Sequence, residues 1–229
     1  MKKIICLITI LMFCLGLTGC NNNNYAKDFK NDYESINGTK NANGKEHRSV
    51  TIDDNNKFIE TTPEKIIEMV ENKETFYVYF GSRLCPWCRS TIEMADKVSR
   101  ENGIEKVYYV DIWDDDGKEI LRDKYSLNQN NEPELVEEGA STYKKLLEVF
   151  DAYLSDYNLT TSEGESVSTG EKRIYAPNYF YVQNGECKRM TSGTSDLQDD
   201  SRGELTEEIL NEEKEMFNKL FLNYCDDLC

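Results

Sequence analysis

Phe76-Tyr77-Val78-Tyr79-Phe80-Gly81 is followed, after Ser82-Arg83-Leu84, by Cys85-Pro86-Trp87-Cys88. The first six residues are an aromatic and β-branched run, which reads as a buried strand. Past the second cysteine, Ile92, Met94, Ala95 and Val98 are interleaved with Glu93, Asp96, Lys97 and Arg100, a spacing that predicts a helix ending near Asn102-Gly103. Pro86 suits the first turn of that helix, because it has no N–H to leave unpaired. Cys85 then stands at the helix N-terminus, where the dipole and the free amides favour a thiolate. Arg83 and Arg89 are expected to add positive charge close by, and Trp87 to face outward and shape the contact with a substrate.

Other uses of the pair fit less well. Structural zinc needs four ligands; Cys225 and Cys229 could complete a four-cysteine set, but metal knuckles usually carry Gly or polar residues between their cysteines. A structural disulfide across two residues closes too short a loop to add much stability. The expectation is therefore a redox-active Cys85–Cys88 disulfide, with no metal and no other cofactor.

A second stretch bears on the first. Arg173-Ile174-Tyr175-Ala176-Pro177-Asn178 leads into Tyr179-Phe180-Tyr181-Val182, then Asn184-Gly185 and Cys187-Lys188-Arg189-Met190. Asn-Gly between two such runs predicts a β-hairpin. Together with Cys-Pro-Trp-Cys, this stretch resembles the thioredoxin superfamily, in which a cis-proline precedes a hairpin and its loop faces the Cys-x-x-Cys. The resemblance implies an α/β, thioredoxin-like fold, a central mixed sheet flanked by helices. It also implies that Ala176 and Pro177 form the substrate-binding loop, Ala176 pairing its backbone with bound substrate. The likeness extends over about residues 50–229.

Other elements fit that architecture. Thr62-Pro63-Glu64 caps a helix carrying Ile66, Ile67, Met69 and Val70; Val107 to Ile112 reads as a second buried strand; Leu205 to Leu222 reads as a closing helix. Two features depart from the family. Residues 117–172 are more than a minimal thioredoxin needs and read as a helical insertion before the cis-proline strand, most clearly at Tyr143, Leu146, Leu147, Val149 and Phe150, with a polar loop from about 160 to 172. Thioredoxins also carry a buried Asp on the strand before the motif, and here Tyr79 stands at that position. Its hydroxyl takes over part of the proton transfer, or its ring is simply core.

The chain starts with Met1-Lys2-Lys3, an apolar run from Ile4 to Leu17, and Leu17-Thr18-Gly19-Cys20. The run is short of the roughly 20 residues of a bilayer span and reads as a secretory signal over residues 1–19. Leu-Thr-Gly-Cys resembles the lipobox of bacterial lipoproteins, which implies lipid on Cys20 and a location on the outer face of the cell membrane. Residues 20–45, rich in Asn, Lys, Asp and Gly, read as a flexible tether, leaving 46–229 as the domain. The net charge of −16 becomes −18 once Lys2 and Lys3 leave, which argues against a nucleic-acid partner. His47 is the one histidine, so a His-rich metal site is excluded.

The expected chemistry is thiol-disulfide exchange: the Cys85 thiolate attacks a substrate disulfide, and Cys88 resolves the mixed disulfide. Partners are then thiols or disulfides of exported proteins or peptides, a membrane redox partner, and the membrane through Cys20. Similarity to bacteriocin transport accessory proteins implies an exported peptide as substrate. A non-enzymatic binding or accessory module for export is the alternative. Cys187, Cys225 and Cys229 remain for a structural disulfide, whose pairing three cysteines leave open.

Overall fold

The computed structural model describes residues 25–222. The expected signal segment, the expected lipidation position Cys20 and two of the three remaining cysteines, Cys225 and Cys229, lie outside the described residues. In chain order come α1 (Tyr25–Glu34), β1 (Phe58–Glu60), α2 (Pro63–Glu71), β2 (Phe76–Gly81), α3 (Pro86–Glu101) and β3 (Val107–Asp111). Then follow β4 (Lys124–Leu127), β5 (Pro133–Glu137), α4 (Tyr143–Phe150), β6 (Ser155–Thr160), β7 (Ser166–Arg173), β8 (Asn178–Gln183), β9 (Glu186–Thr191) and α5 (Glu207–Phe221).

The fold is α/β around a mixed five-stranded sheet in the order β1-β3-β2-β8-β9. β2 is its central strand, parallel to β3 and antiparallel to β8, and all six of its residues are buried. Side chains alternate between the two faces of a strand. Tyr77 and Tyr79 therefore join one core with residues of α1, α3 and α5, while Phe76, Val78 and Phe80 join a second core with residues of α2 and α4. The Asn184-Gly185 turn forms as expected, with φ of 52° and 79°. A Cβ on Gly185 would run into the Val70 carbonyl, so the turn is seated tightly against the end of α2. Thr62 caps α2, its hydroxyl accepting from the Lys65 amide at 3.3 Å.

Two expectations are corrected. Residues 25–45 are not a tether, because α1 buries Phe29 and Tyr33 in the first core. These aromatics stand four apart on one helix face, and Phe29 stacks on Phe58 with ring centroids 4.5 Å apart. Each such burial contributes roughly 1.5–3 kcal/mol, enough to order a segment whose average composition is polar. The ordered domain therefore includes residues from 25 onward instead of starting at 46.

The stretch 117–172 is not predominantly helical. Only α4 and a short 3-10 turn at Asp151–Tyr153 are helical there, and the rest forms two antiparallel hairpins, β4–β5 and β6–β7. The expected polar loop at 160–172 is largely β7, none of whose residues is buried and whose one large apolar side chain is Val167. A strand solvated on both faces carries no hydrophobic alternation to reveal it.

Candidate active site

Cys85 is the N-cap residue of α3, in extended backbone (φ −76°, ψ 119°), with Pro86 in the first turn. The Cys88 amide donates to the Cys85 sulfur at 3.4 Å, so one of the unpaired amides of the first turn is spent on that sulfur. The two thiols, both free here, experience opposite effects. Hydrogen bonding from the Cys88 thiol, aided by the amides of Cys88 and Trp87 and the Arg122 charge, holds the Cys85 thiol below its ordinary range despite burial. Complete burial drives the Cys88 thiol well above its range, and the hydrogen bond to Cys85 adds to this. Cys85 is thus the group prepared to be a thiolate, and Cys88 lies beneath it.

The cis Ala176-Pro177 peptide faces this helix end. The Cys85 thiol donates to the Ala176 carbonyl at 3.6 Å. Asn178, given no role from sequence, clamps the loop: its Oδ1 accepts from the Tyr175 amide at 2.8 Å and its Nδ2 donates to the Pro177 carbonyl at 2.9 Å. Trp87 is half-buried rather than turned outward. It packs on the first core and lines a cleft of about 390 Å³ with Ala176, Pro177, Met190 and Thr194. Trp87, Ala176 and Pro177 are therefore brought together beside the cysteines.

Arg83 and Arg89 do not supply the cationic field expected of them. Arg83 pairs with Asp32 at 3.3 Å and Asp115 at 2.8 Å. Arg89 is 1% exposed and turns away, donating to the carbonyls of Tyr33 (2.8 Å) and Arg48 (2.6 Å) and to Asn37 Oδ1 (2.6 Å). The cation acting on Cys85 is Arg122, from the stretch before β4, which also donates to the Ile174 carbonyl at 3.2 Å and pairs with Glu119. No spacing rule connects residue 122 with residue 85.

Beneath the cysteines the sheet presents hydroxyls. The Tyr79 hydroxyl lies close enough to the Cys88 thiol to oppose the upward push of burial, and its ring lies along the strand over Gly81, where a Cβ would collide with it. Tyr79 stacks on Tyr179 with centroids 4.3 Å apart, and the Tyr179 hydroxyl lies 3.3 Å from Thr91 Oγ1. Cys187 is apart from this group. It packs on the second core, and burial raises its thiol to about 12.

Among the described residues no three or more His, Cys, Asp or Glu side chains are grouped to hold a metal, and no helix is long and apolar enough to cross a membrane. No protein-family model matches the chain, and no curated protein matches it significantly.

Proposed function

We propose that the chain is a thiol-disulfide oxidoreductase of thioredoxin-like fold, held by lipid on Cys20 at the outer face of a bacterial cell membrane and acting on exported proteins or peptides. The observation that carries this reading is the Cys85 thiol, set on a helix N-terminus within 3.6 Å of the carbonyl that precedes a cis-proline. A thiolate in that place has a nucleophile's charge and, next to it, a loop clamped by Asn178 whose Tyr175 and Ala176 line the adjoining cleft. The Trp87 cleft gives room for a side chain flanking the substrate cysteine. Attack by Cys85 on the substrate disulfide forms a mixed disulfide and releases one substrate thiolate. Cys88 then closes the Cys85–Cys88 bond and releases the other.

A Cys88→Ala variant expressed in its host tests this, since it stops the reaction at the mixed disulfide. Exported proteins joined covalently to Cys85, and lost in Cys85→Ser, are the expected result. Absence of any adduct, with insulin reduction no faster than the uncatalysed rate, would favour the binding module instead.

A further inference from the structure

The first core contains a pair of hydroxyls that packing alone does not require. Tyr33 on α1 and Tyr79 on β2 are both 0% exposed, and their hydroxyl oxygens are 2.7 Å apart. A buried phenol needs a partner, and phenylalanine at both places would satisfy the same ring contacts without one. Tyr79 extends over Gly81 and bears on Cys88, and Tyr33, paired with it, also lies close enough to Cys88 to feel its charge. α1 is also fastened to the active-site helix at its C-terminal end: Arg89, the residue after Cys88, donates to the Tyr33 carbonyl at 2.8 Å and to Asn37 at 2.6 Å. The helix bearing the resolving cysteine thereby fixes where Tyr33 sits.

We propose that Tyr33 is a positioning residue for the resolving step, its hydroxyl hydrogen-bonded to that of Tyr79 so that Tyr79 directs its own proton at the Cys88 sulfur. This rests on the oxidoreductase reading and deepens it. In the step concerned, the Cys88 thiol gives up its proton and the sulfur forms a bond to Cys85 Sγ. The bond between Cys85 and the substrate sulfur breaks, its electron pair leaves with the substrate sulfur, and that sulfur takes up a proton. The dithiol is oxidised by two electrons and the substrate disulfide is reduced by two. The thiolate that forms on Cys88 is fully buried, and a phenol aimed at it stabilises it as a charge-assisted hydrogen bond. With Tyr33 as donor in this pair, the Tyr79 hydrogen is turned away from Tyr33 and is left for Cys88 or the Tyr179 hydroxyl.

The groups facing Cys88 come from three elements and the preceding loop: Cys85 above it, Tyr79 and the Ser82 backbone on and after β2, Tyr33 on α1 and Tyr179 on β8. From β3, Tyr109 has its ring centroid 5.9 Å from that of Tyr33, and the charge of Asp111 bears on Tyr33. Among the described residues no carboxylate is one of the main groups acting on Cys88, which leaves the phenol pair to do what a buried acid would do.

The test uses the reduced full-length chain mixed rapidly with 5,5′-dithiobis(2-nitrobenzoate), with thionitrobenzoate release followed by absorbance. The phase lost in Cys85→Ser is attack, and the phase lost in Cys88→Ala while attack persists is resolution. In Tyr33→Phe, attack is expected to keep its rate while resolution slows by about tenfold and its pH profile moves up by about one unit. The same change in a Tyr79→Phe background is expected to add nothing, because Tyr33 acts through Tyr79. Resolution unchanged in Tyr33→Phe, or slowed equally when Tyr79 is already Phe, overturns the assignment while attack by Cys85 leaves the oxidoreductase reading standing. Absence of an attack phase overturns that reading and this one with it.

Discussion

The two faces of β2 are built from neighbouring residues for different purposes. Phe76, Val78 and Phe80 point into a dry core with α2 and α4, where Phe80 meets Phe150 and Phe180 edge-on at 5.7 and 5.9 Å. Tyr77 and Tyr79, with the gap left by Gly81, point toward the cysteine helix, and Tyr79 meets Tyr33, Tyr179 and Cys88 there. One face supplies stability through area and fit. The other uses similar area but adds two hydroxyls: that of Tyr79 pairs with Tyr33 and bears on Cys88, and that of Tyr77 is drawn to Arg189. An alternation that makes a strand amphipathic elsewhere here separates packing from chemistry within a fully buried strand.

The largest expected effect sharpens that division. Phe80→Ala removes a ring from the dry face and should cost about 3–5 kcal/mol of unfolding free energy in denaturant titration, while each folded molecule reduces insulin at the wild-type rate. A matching loss of turnover per folded molecule would show that the two faces are not separate.

The second prediction concerns a carboxyl that breaks the pattern on the chemical side. Glu213 on α5 is 0% exposed, and neither carboxyl oxygen has a hydrogen-bond partner among the described residues. Burial raises its pKa to about 8, with Arg48 pulling the other way, and its charge bears on Tyr179. The folded pKa lies above the ordinary value of 4.5, so the protonated form is the one the fold favours. Its stabilising contribution is complete below the ordinary value and is lost as pH climbs toward about 8. Glu213→Gln removes that loss, so the melting temperature of the variant relative to wild type should rise between pH 5 and pH 8, by about 5 °C. A difference that does not change with pH would mean that Glu213 is ionised in the fold.

The smallest effect tests charge brought in from outside either face. Arg122→Gln removes the cation acting on Cys85 and its pairing with Glu119. Alkylation of Cys85 by iodoacetamide at pH 7 should slow about threefold. An unchanged rate would leave the helix N-terminus as the dominant source of thiolate stabilisation.

The residues that are legible in sequence share a reason. β2, α3, the Asn184-Gly185 hairpin and the capped α2 announce themselves through periodicity, turn chemistry and Pro placement, which are local properties. Cys85 and Cys88 stand out because their spacing is itself the chemistry. α1 does not, because its helix depends on two aromatics whose partners, Phe58 and Tyr109, are more than 20 residues away in the chain. β6 and β7 do not, because a largely solvated hairpin has little apolar pattern to read. Arg83 and Arg89 mislead for the opposite reason: closeness in sequence to Cys85 suggests closeness of charge, but on a helix start their side chains turn toward α1 and the Asp115 loop instead.

By itself the sequence determined an α/β chain with a central buried strand and a cysteine pair opening a helix, since those follow from alternation and from the conformational limits of Pro and Gly. The tertiary structure alone decided what surrounds each sulfur: Ala176 and Asn178 above, Arg122 from the insertion, and the Tyr33–Tyr79 pair below. A thiol's reactivity is set by burial, by nearby charge and by hydrogen bonds within a few ångströms. Those neighbours come from distant segments, Ala176 lying 91 residues from Cys85 along the chain, and folding alone brings them together.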